Sequence, residues 1–239
     1  MISYFASNCQ PFMKKFTTTL LKKKDIARNV VELQFSKPDE LSFVAGQFFQ
    51  FLIPSPQKET PRSYSAASIP NDSHLMFCVK LLENGLGSDH FRHMNVGDSI
   101  EIKGPLGRFI LNDEAPKHTF VATGAGLAPI LPMIRQELKI NKSRKPINLL
   151  FGVRHDEDIF WQAELAQLSE EHPNFTTNIC LSQPSETWTG THGRVTEHLE
   201  PIDTDAHFYL CGSGQMVMEV RALIAQAGVK ADQIHFEIF

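Results

Sequence analysis

The chain has 239 residues, of which 42% are hydrophobic and 21% charged, with a formal net charge of −4. That length suits two domains of ordinary size, and the composition is that of a globular protein. The charge gives no general attraction to nucleic acid, and no apolar run approaches the roughly 20 residues of a membrane helix.

Residues 1–12 carry no positive n-region, and Ser3, Asn8 and Gln10 interrupt their apolar residues, so no secretory signal is expected. Met13-Lys14-Lys15 reads as a second possible start, which makes residues 1–13 an N-terminal tail. The cysteines, Cys9, Cys78, Cys180 and Cys211, are dispersed. That spacing excludes the clustered patterns of zinc and iron–sulfur sites, so no metal site is expected. It also points to a reducing, cytoplasmic setting.

Thr17–Leu21 and Asn29–Phe35 read as strands, the second with Val31, Leu33 and Phe35 alternating with Glu32 and Gln34. Lys22-Lys23-Lys24-Asp25 between them reads as a charged turn. With Lys14, Lys15 and Arg28 it forms a locally basic region, either a solvated face or a docking patch for an acidic protein. Gly46–Ile53 is an apolar strand ended by Pro54-Ser55-Pro56 and a polar loop. Pro61-Arg62-Ser63-Tyr64-Ser65-Ala66-Ala67-Ser68 follows. On an extended chain Arg62 and Tyr64 share one face, and Ser63 and Ser65 the other. A strand at Leu75–Lys80 leads to a Gly-containing loop, Glu83 to Ser88, and a short helix over Ser88–Met94 with Ser88 as its N-cap. Ser99–Lys103 is the next strand, followed by Gly104-Pro105-Leu106-Gly107. Short strands and turns at this density predict a small antiparallel barrel or sandwich.

A polar segment, Asn112–His118, marks a boundary between domains at 14–113 and 119–239. Beyond it strands and helices alternate. The strands are Thr119–Thr123, Ile147–Val153, Phe175–Leu181, His207–Cys211 and Ile234–Phe239. The helices are Ile130–Ile140, Phe160–Glu171, Val195–Leu199 and Gly214–Ala227, the last closed by Gly228. This is α/β alternation around a parallel sheet, which binds ligands beyond the carboxyl ends of its strands.

Two glycine turns carry candidate chemistry. Gly124-Ala125-Gly126-Leu127-Ala128-Pro129 follows a strand and opens a helix, where small residues and the helix N-terminus favour an anion. Pro129 suits the first helical turn. Cys211-Gly212-Ser213-Gly214 repeats the strand-to-helix arrangement, with either a buried structural Cys or a sulfur beside a ligand. Glu237 sits between Phe236 and Ile238 and faces either water or a cleft in which it relays protons. Phe239 either folds over a flat ring or frays. His90 and His93 lack further ligands and read as surface residues; Trp161 and Trp188 read as packing.

The ordered set Arg62-Ser63-Tyr64-Ser65, Gly85-Leu86-Gly87-Ser88, Gly104-Pro105-Leu106-Gly107, Thr123 through Pro129, and Cys211-Gly212-Ser213-Gly214 resembles the ferredoxin–NADP reductase family. That family includes oxygenase reductase components and flavin reductases. The resemblance runs from about Thr17 to Phe239. It implies an antiparallel Greek-key barrel that binds FAD, followed by a parallel-sheet, Rossmann-like domain that binds NADH or NADPH.

The resemblance also implies roles. Arg62 meets the flavin phosphate, Ser63 and Tyr64 lie along the flavin, and Ser65 bonds near its reacting nitrogen. Val79 and Lys80 line the flavin, and Gly85, Gly87 and Ser88 hold its pyrophosphate. Thr123, Gly124, Ala125, Gly126, Leu127 and Pro129 cradle the nicotinamide nucleotide. Arg154 and Ser182 meet its adenosine end, Cys211 sits at its nicotinamide, and Gly212 and Met216 join the cofactor-binding residues. Phe239 is a further cofactor-binding candidate, either stacked on the flavin or an ordinary strand end, and Ser65, Cys211 and Glu237 form the catalytic group. Gln183 stands where phosphate-binding members tend to carry Arg, which tilts the reading toward NADH; Arg154 and Arg194 are the opposing cations. With no iron–sulfur domain, the electrons go to a separate small redox protein such as a ferredoxin, a flavodoxin or an oxygenase component. The alternatives are a reductase of free flavin or another small acceptor, and a non-catalytic subunit that keeps the fold.

Overall fold

The computed structural model describes residues 13–55 and 58–239. The expected tail at 1–12 and Cys9 lie outside the described residues.

Six strands form the first sheet: β1 (Lys14–Ala27), β2 (Val30–Ser36), β3 (Phe48–Ile53), β4 (Thr60–Ser65), β5 (His74–Lys80) and β6 (Ser99–Leu106). Their spatial order is β4-β3-β6-β1-β2-β5, all antiparallel. A bridge between Ala66 and Phe77, with the Ala67 amide donating to the Met76 carbonyl, joins the two edges and closes a barrel. The Greek-key barrel is therefore present, and the sandwich alternative falls. Phenylalanines fill it: Phe35, Phe49, Phe51, Phe77 and Phe91 have no exposed surface and meet edge-to-face, as their ring quadrupoles favour. Helix α1 (Leu86–His93) caps it through Phe91.

The charged turn expected at Lys22–Asp25 is strand. Lys22 pairs with Gln34, Lys23 with Leu33, Lys24 with Glu32 and Asp25 with Val31. No Gly, Pro or Asn stands there to reverse the chain. The reversal comes at Arg28-Asn29, where Asn29 adopts a left-handed φ of 57°. Lys14 and Lys24 then lie about 34 Å apart along β1. Lys14 pairs with Glu40, Lys15 with Glu59 and Glu101, and Lys23 donates to the carbonyls of Arg92 and Met94. The basic run is thus spread along a strand rather than gathered at a turn, and its Lys14 and Lys15 ends are paired with carboxylates.

The second sheet has strands β7 (His118–Thr123), β8 (Ile147–Val153), β9 (Phe175–Leu181), β10 (Thr191–His192), β11 (His207–Gly212) and β12 (Ile234–Ile238). All run parallel, in the order β10-β9-β8-β7-β11-β12. Helices α2 (Leu127–Arg135), α3 (Gln162–Glu171) and α4 (Gly214–Gln226) cover it, with α2 continuing as a wider turn over Gln136–Ile140. The helix expected from Phe160 starts at Gln162, because Trp161 takes a left-handed φ of 55°. The helix expected at Val195–Leu199 is one short turn, Val195–Glu197. The pair-forming β10 is too short to leave a sequence pattern.

The two units share a core. Val30, Ala45, Ala67, Met76 and Phe109 of the barrel pack with Phe120, Ile130, Met133 and Ile134 of the second unit. Polar ties cross the same seam. Tyr209 Oη accepts from the Asn112 amide at 2.9 Å, Trp161 Nε1 donates to Glu32 at 2.9 Å, and Arg135 reaches both Asp72 and Glu164. Buried apolar contact, with these polar ties beside it, holds the units in one relative orientation. Strand β12 is thereby brought against β4, with Ser65 meeting Glu237.

Candidate active site

Strand β4 presents the Arg62-Ser63-Tyr64-Ser65 motif at the edge of the barrel sheet. Tyr64 packs edge-on against Phe51 at 5.5 Å and Phe91 at 5.3 Å, which fixes its ring. Gly87, in the first turn of α1, lies so close that an added Cβ would overlap the Tyr64 hydroxyl and touch the Arg62 side chain. Arg62 and Tyr64 therefore share the face turned to α1, as strand alternation requires. Burial pushes the Tyr64 hydroxyl pKa up, opposed by the Arg62 charge. The Arg62 guanidinium is exposed and, among the described residues, donates to the neighbouring Pro61 carbonyl. Ser63 is exposed on the outer edge.

Ser65 faces the opposite way and is buried. Its hydroxyl donates to Glu237 Oε2 on β12 at 3.3 Å, across 172 residues of chain. Glu237 pairs in register with Cys211 on β11. Burial raises the Glu237 carboxyl pKa, and the Ser65 hydrogen bond opposes the rise. Burial raises the Cys211 thiol well above its ordinary value, and the neighbouring Glu237 charge adds to this. Cys211 is therefore a neutral, apolar thiol rather than a nucleophile. Ser65, Cys211 and Glu237, from three strands of two units, meet at one seam.

The two glycine turns interlock beside it. A Cβ on Gly126 would overlap the Cys211 carbonyl, and one on Gly212 would overlap Thr123 Oγ1. Thr123 Oγ1 also accepts from the Ser213 amide at 3.3 Å. Gly124 has a φ of 53° and open space around its Cβ position, so its need for glycine is conformational. Ala125 is half-buried at the surface of this turn. Neither α2 nor α4 has an acidic residue in its first turn, which leaves both N-termini suited to an anion. Leu127 and Met216 turn their side chains into the core, and Pro129 is buried beside them.

Several other expected residues are placed differently from the sequence reading. Ser88 is not the N-cap of α1; Gly85 is. The Ser88 hydroxyl instead accepts from the Leu82 amide at 2.9 Å and is buried, which shapes the Gly85–Gly87 turn. Val79 belongs to the barrel core, so its side chain is not free to line a ligand, whereas Lys80 beside it is exposed. Phe239 is 56% exposed, tied by its amide to the Gly212 carbonyl. Arg194 is paired with Glu219 at 3.5 Å, while Arg154 is exposed at the tip of β8 next to Ser182 at the tip of β9.

These features coincide with the comparisons. A family model described as an oxidoreductase FAD-binding domain matches residues 17–110, and one described as an oxidoreductase NAD-binding domain matches residues 120–222. Ferredoxin–NADP reductase B of Sorangium cellulosum (strain So ce56) is 31% identical over 236 residues, covering 93% of this chain and 96% of that protein. The chain belongs to the ferredoxin–NADP reductase family. It is an NAD(P)H-dependent, FAD-containing oxidoreductase that passes electrons to a separate carrier.

Two further likenesses cover nearly the whole reductase. The toluate 1,2-dioxygenase electron transfer component of Pseudomonas putida is 27% identical, covering 97% of this chain and 69% of that one. The crystal structure of an Amycolatopsis cytochrome P450 reductase superposes with a TM-score of 0.87 at 26% identity, covering 99% of this chain and 73% of that one. No helix among the described residues of the reductase is long and apolar enough to cross a membrane.

Sequence reasoning missed the polar seam of this reductase. Arg28 binds Glu157 and Asp158 across the two units, and Asp156 ties the tips of β8 and β9 through Ser185. The acidic run Asp156-Glu157-Asp158 is plain in the chain, but nothing local names a partner about 130 residues away.

Proposed function

We propose that Arg62, Ser63, Tyr64 and Lys80 hold FAD along β4 and β5, with the Gly85–Ser88 turn at its pyrophosphate and Ser65 at its reacting edge. We propose a division into an FAD-binding domain at 14–113 and a nucleotide-binding domain at 119–239. Thr123, the Gly124–Pro129 turn and the Cys211–Gly212 turn take the pyrophosphate and nicotinamide of NADH or NADPH, and Arg154 and Ser182 take its adenosine end. The observation that carries this reading is the meeting of Ser65, Glu237 and Cys211 between the two sets of turns.

The residues present fit FAD. Arg62 offers an exposed guanidinium suited to a phosphate, and Gly87 leaves room where any larger residue would strike Tyr64. Bound FAD supplies the conversion of a two-electron donor into electrons for a carrier. Ser65 orients the reacting edge through its hydroxyl and joins it to Glu237, which keeps its proton to higher pH than a free carboxyl. The neutral Cys211 thiol packs against the nicotinamide without reacting. Phe239 covers the flavin in this reading, which its exposed ring beside Gly212 supports.

The acceptor is a small redox protein, such as a ferredoxin, a flavodoxin or an oxygenase component. The relatives named as a ferredoxin reductase and as an electron transfer component support it. The three described cysteines are free and buried, which supports a reducing compartment such as the cytoplasm. Anaerobic titration of the yellow protein with NADH and with NADPH tests the assignment. Bleaching by one or both is expected, followed by reoxidation with ferredoxin faster than with free flavin. Protein that stays yellow with both nucleotides contradicts it.

A further inference from the structure

One residue of the barrel makes four hydrogen bonds to a single loop of the nucleotide unit. Arg28, in the reversal between β1 and β2, donates from Nε and Nη2 to the two carboxylate oxygens of Asp158 at 3.1 and 3.0 Å. Its Nη1 donates to Glu157 at 3.0 Å, and its amide donates to the Glu157 carbonyl at 3.0 Å. The paired contact to Asp158 is the fork geometry in which guanidinium is strongest and most directional. Asp158 has 15% of its side chain exposed, so this contact is better shielded than an ordinary surface pair.

The loop it grips continues directly from Arg154. Asp158 Oδ2 also accepts from the His155 amide at 3.1 Å, and the Asp158 amide donates to the His155 carbonyl at 3.0 Å, closing residues 155–158 into one turn. That turn is laced to the tip of β9. His155 Nδ1 donates to the Gln183 carbonyl at 2.8 Å, and the Gln183 amide donates to the Arg154 carbonyl at 2.8 Å. The Asp156 carboxylate accepts from the Ser185 amide and hydroxyl, each at 2.8 Å. Arg154 and Ser182 thus stand on a body formed by two loops, and Arg28 fastens that body to the barrel.

Charge works in the same direction. Asp156, Glu157 and Asp158 would repel a phosphorylated ligand, and Arg28, paired with Glu157 and Asp158, offsets one of their three charges. We infer that Arg28 is a positioning residue for the nicotinamide nucleotide: it holds the β8 and β9 loops in the geometry that receives the adenosine end, acting through Asp158 and never touching the ligand. This rests on the assignment of Arg154 and Ser182 to that end.

ADP-ribose is the probe, because it carries the adenosine end and pyrophosphate without the reacting ring. Binding to flavin-loaded enzyme is measured by calorimetry for wild type, Arg28→Met, Asp158→Asn and the double variant. Arg28→Met is expected to weaken ADP-ribose binding about five- to tenfold, and to raise the nucleotide KM equally. Flavin content and the rate of flavin reduction at saturating nucleotide should stay within about twofold of wild type. Asp158→Asn, which leaves the Glu157 contact, should show a smaller loss, and the double variant should lose no more than Arg28→Met alone, since Arg28→Met already removes the Asp158 contact. Arg28→Lys, keeping the charge and part of the contact, should recover part of the affinity.

Unchanged ADP-ribose affinity in Arg28→Met overturns the inference. So does slower reduction at saturation with unchanged affinity, which would make Arg28 a tie for domain orientation only. If Arg28→Met fails to fold, Glu157→Gln with Asp158→Asn cuts the same contacts from the other side. Arg154→Ala separates the two assignments. Intact ADP-ribose binding in that variant removes the adenosine-end reading itself, whereas a loss there without one in Arg28→Met removes only the inference about Arg28.

Discussion

The two edges that we propose face the ligands are built in opposite ways. On β4 the candidate chemistry lies in side chains: Arg62 is exposed, Tyr64 is clamped by Phe51 and Phe91, and Ser65 reaches across to Glu237. At the tips of β7 and β11 the large side chains turn inward. Leu127 and Met216 are core, Pro129 is buried beside them, and Gly126 and Gly212 bring backbone against backbone. Trimming a β4 side chain should remove one interaction and leave the fold. Adding a single methyl at the glycine turns should disturb the fold itself.

The largest effect expected from that contrast lies at the turns. Gly126→Ala puts a Cβ into the Cys211 carbonyl, which has no flexible end to yield. A loss of about 3 kcal/mol is expected, with nucleotide binding lost too. Gly124→Ala in the same turn meets no atom and carries only the cost of its positive φ, about 1 kcal/mol. Equal falls in Tm for the two variants would refute the contrast.

Arg62→Ala should weaken FAD retention by about 2 kcal/mol, or roughly thirtyfold, with Tm of the flavin-saturated protein little changed. Full flavin occupancy after extensive dialysis would remove Arg62 from phosphate binding. Ser65→Ala should slow flavin reduction by NADH or NADPH about tenfold while flavin stays bound. Stopped-flow traces matching wild type would take Ser65 out of the mechanism.

The smallest effect is on pH dependence. The folded state favours the protonated Glu237 carboxyl, so its pKa lies above the ordinary 4.5. The folded form therefore holds more protons than the unfolded one above pH 4.5, and stability falls as pH rises through the raised value. Glu237→Gln, which cannot ionise, should remove that fall. Denaturation midpoints with the same pH slope in both proteins would contradict the burial argument.

Much of the β4 edge is legible in the chain because it consists of residues whose chemistry is their side chain. A cation, a ring and hydroxyls at strand spacing point to a ligand-binding strand by residue type alone. The glycine turns are legible as turns, and their order matches a family. Their reason for needing glycine is not legible, since Gly124 and Gly126 read alike in the chain while one needs its φ and the other needs the space. Ser88 reads as a cap because its actual partner, the Leu82 amide, depends on how the preceding loop folds back.

By itself the sequence determined the two sheets and the strand-to-helix turns at the second, because periodicity and side-chain type are local properties; the residues proposed to meet a flavin and a nucleotide follow from the ordered motifs the chain shares with its family. Only the tertiary structure decided which distant groups meet. The lysines of β1 are spread along a strand rather than gathered at a turn, since the pairing of β1 with β2 outweighs local charge. Ser65 finds Glu237, and Arg28 finds Asp158, because a shared apolar core sets the angle between the two units.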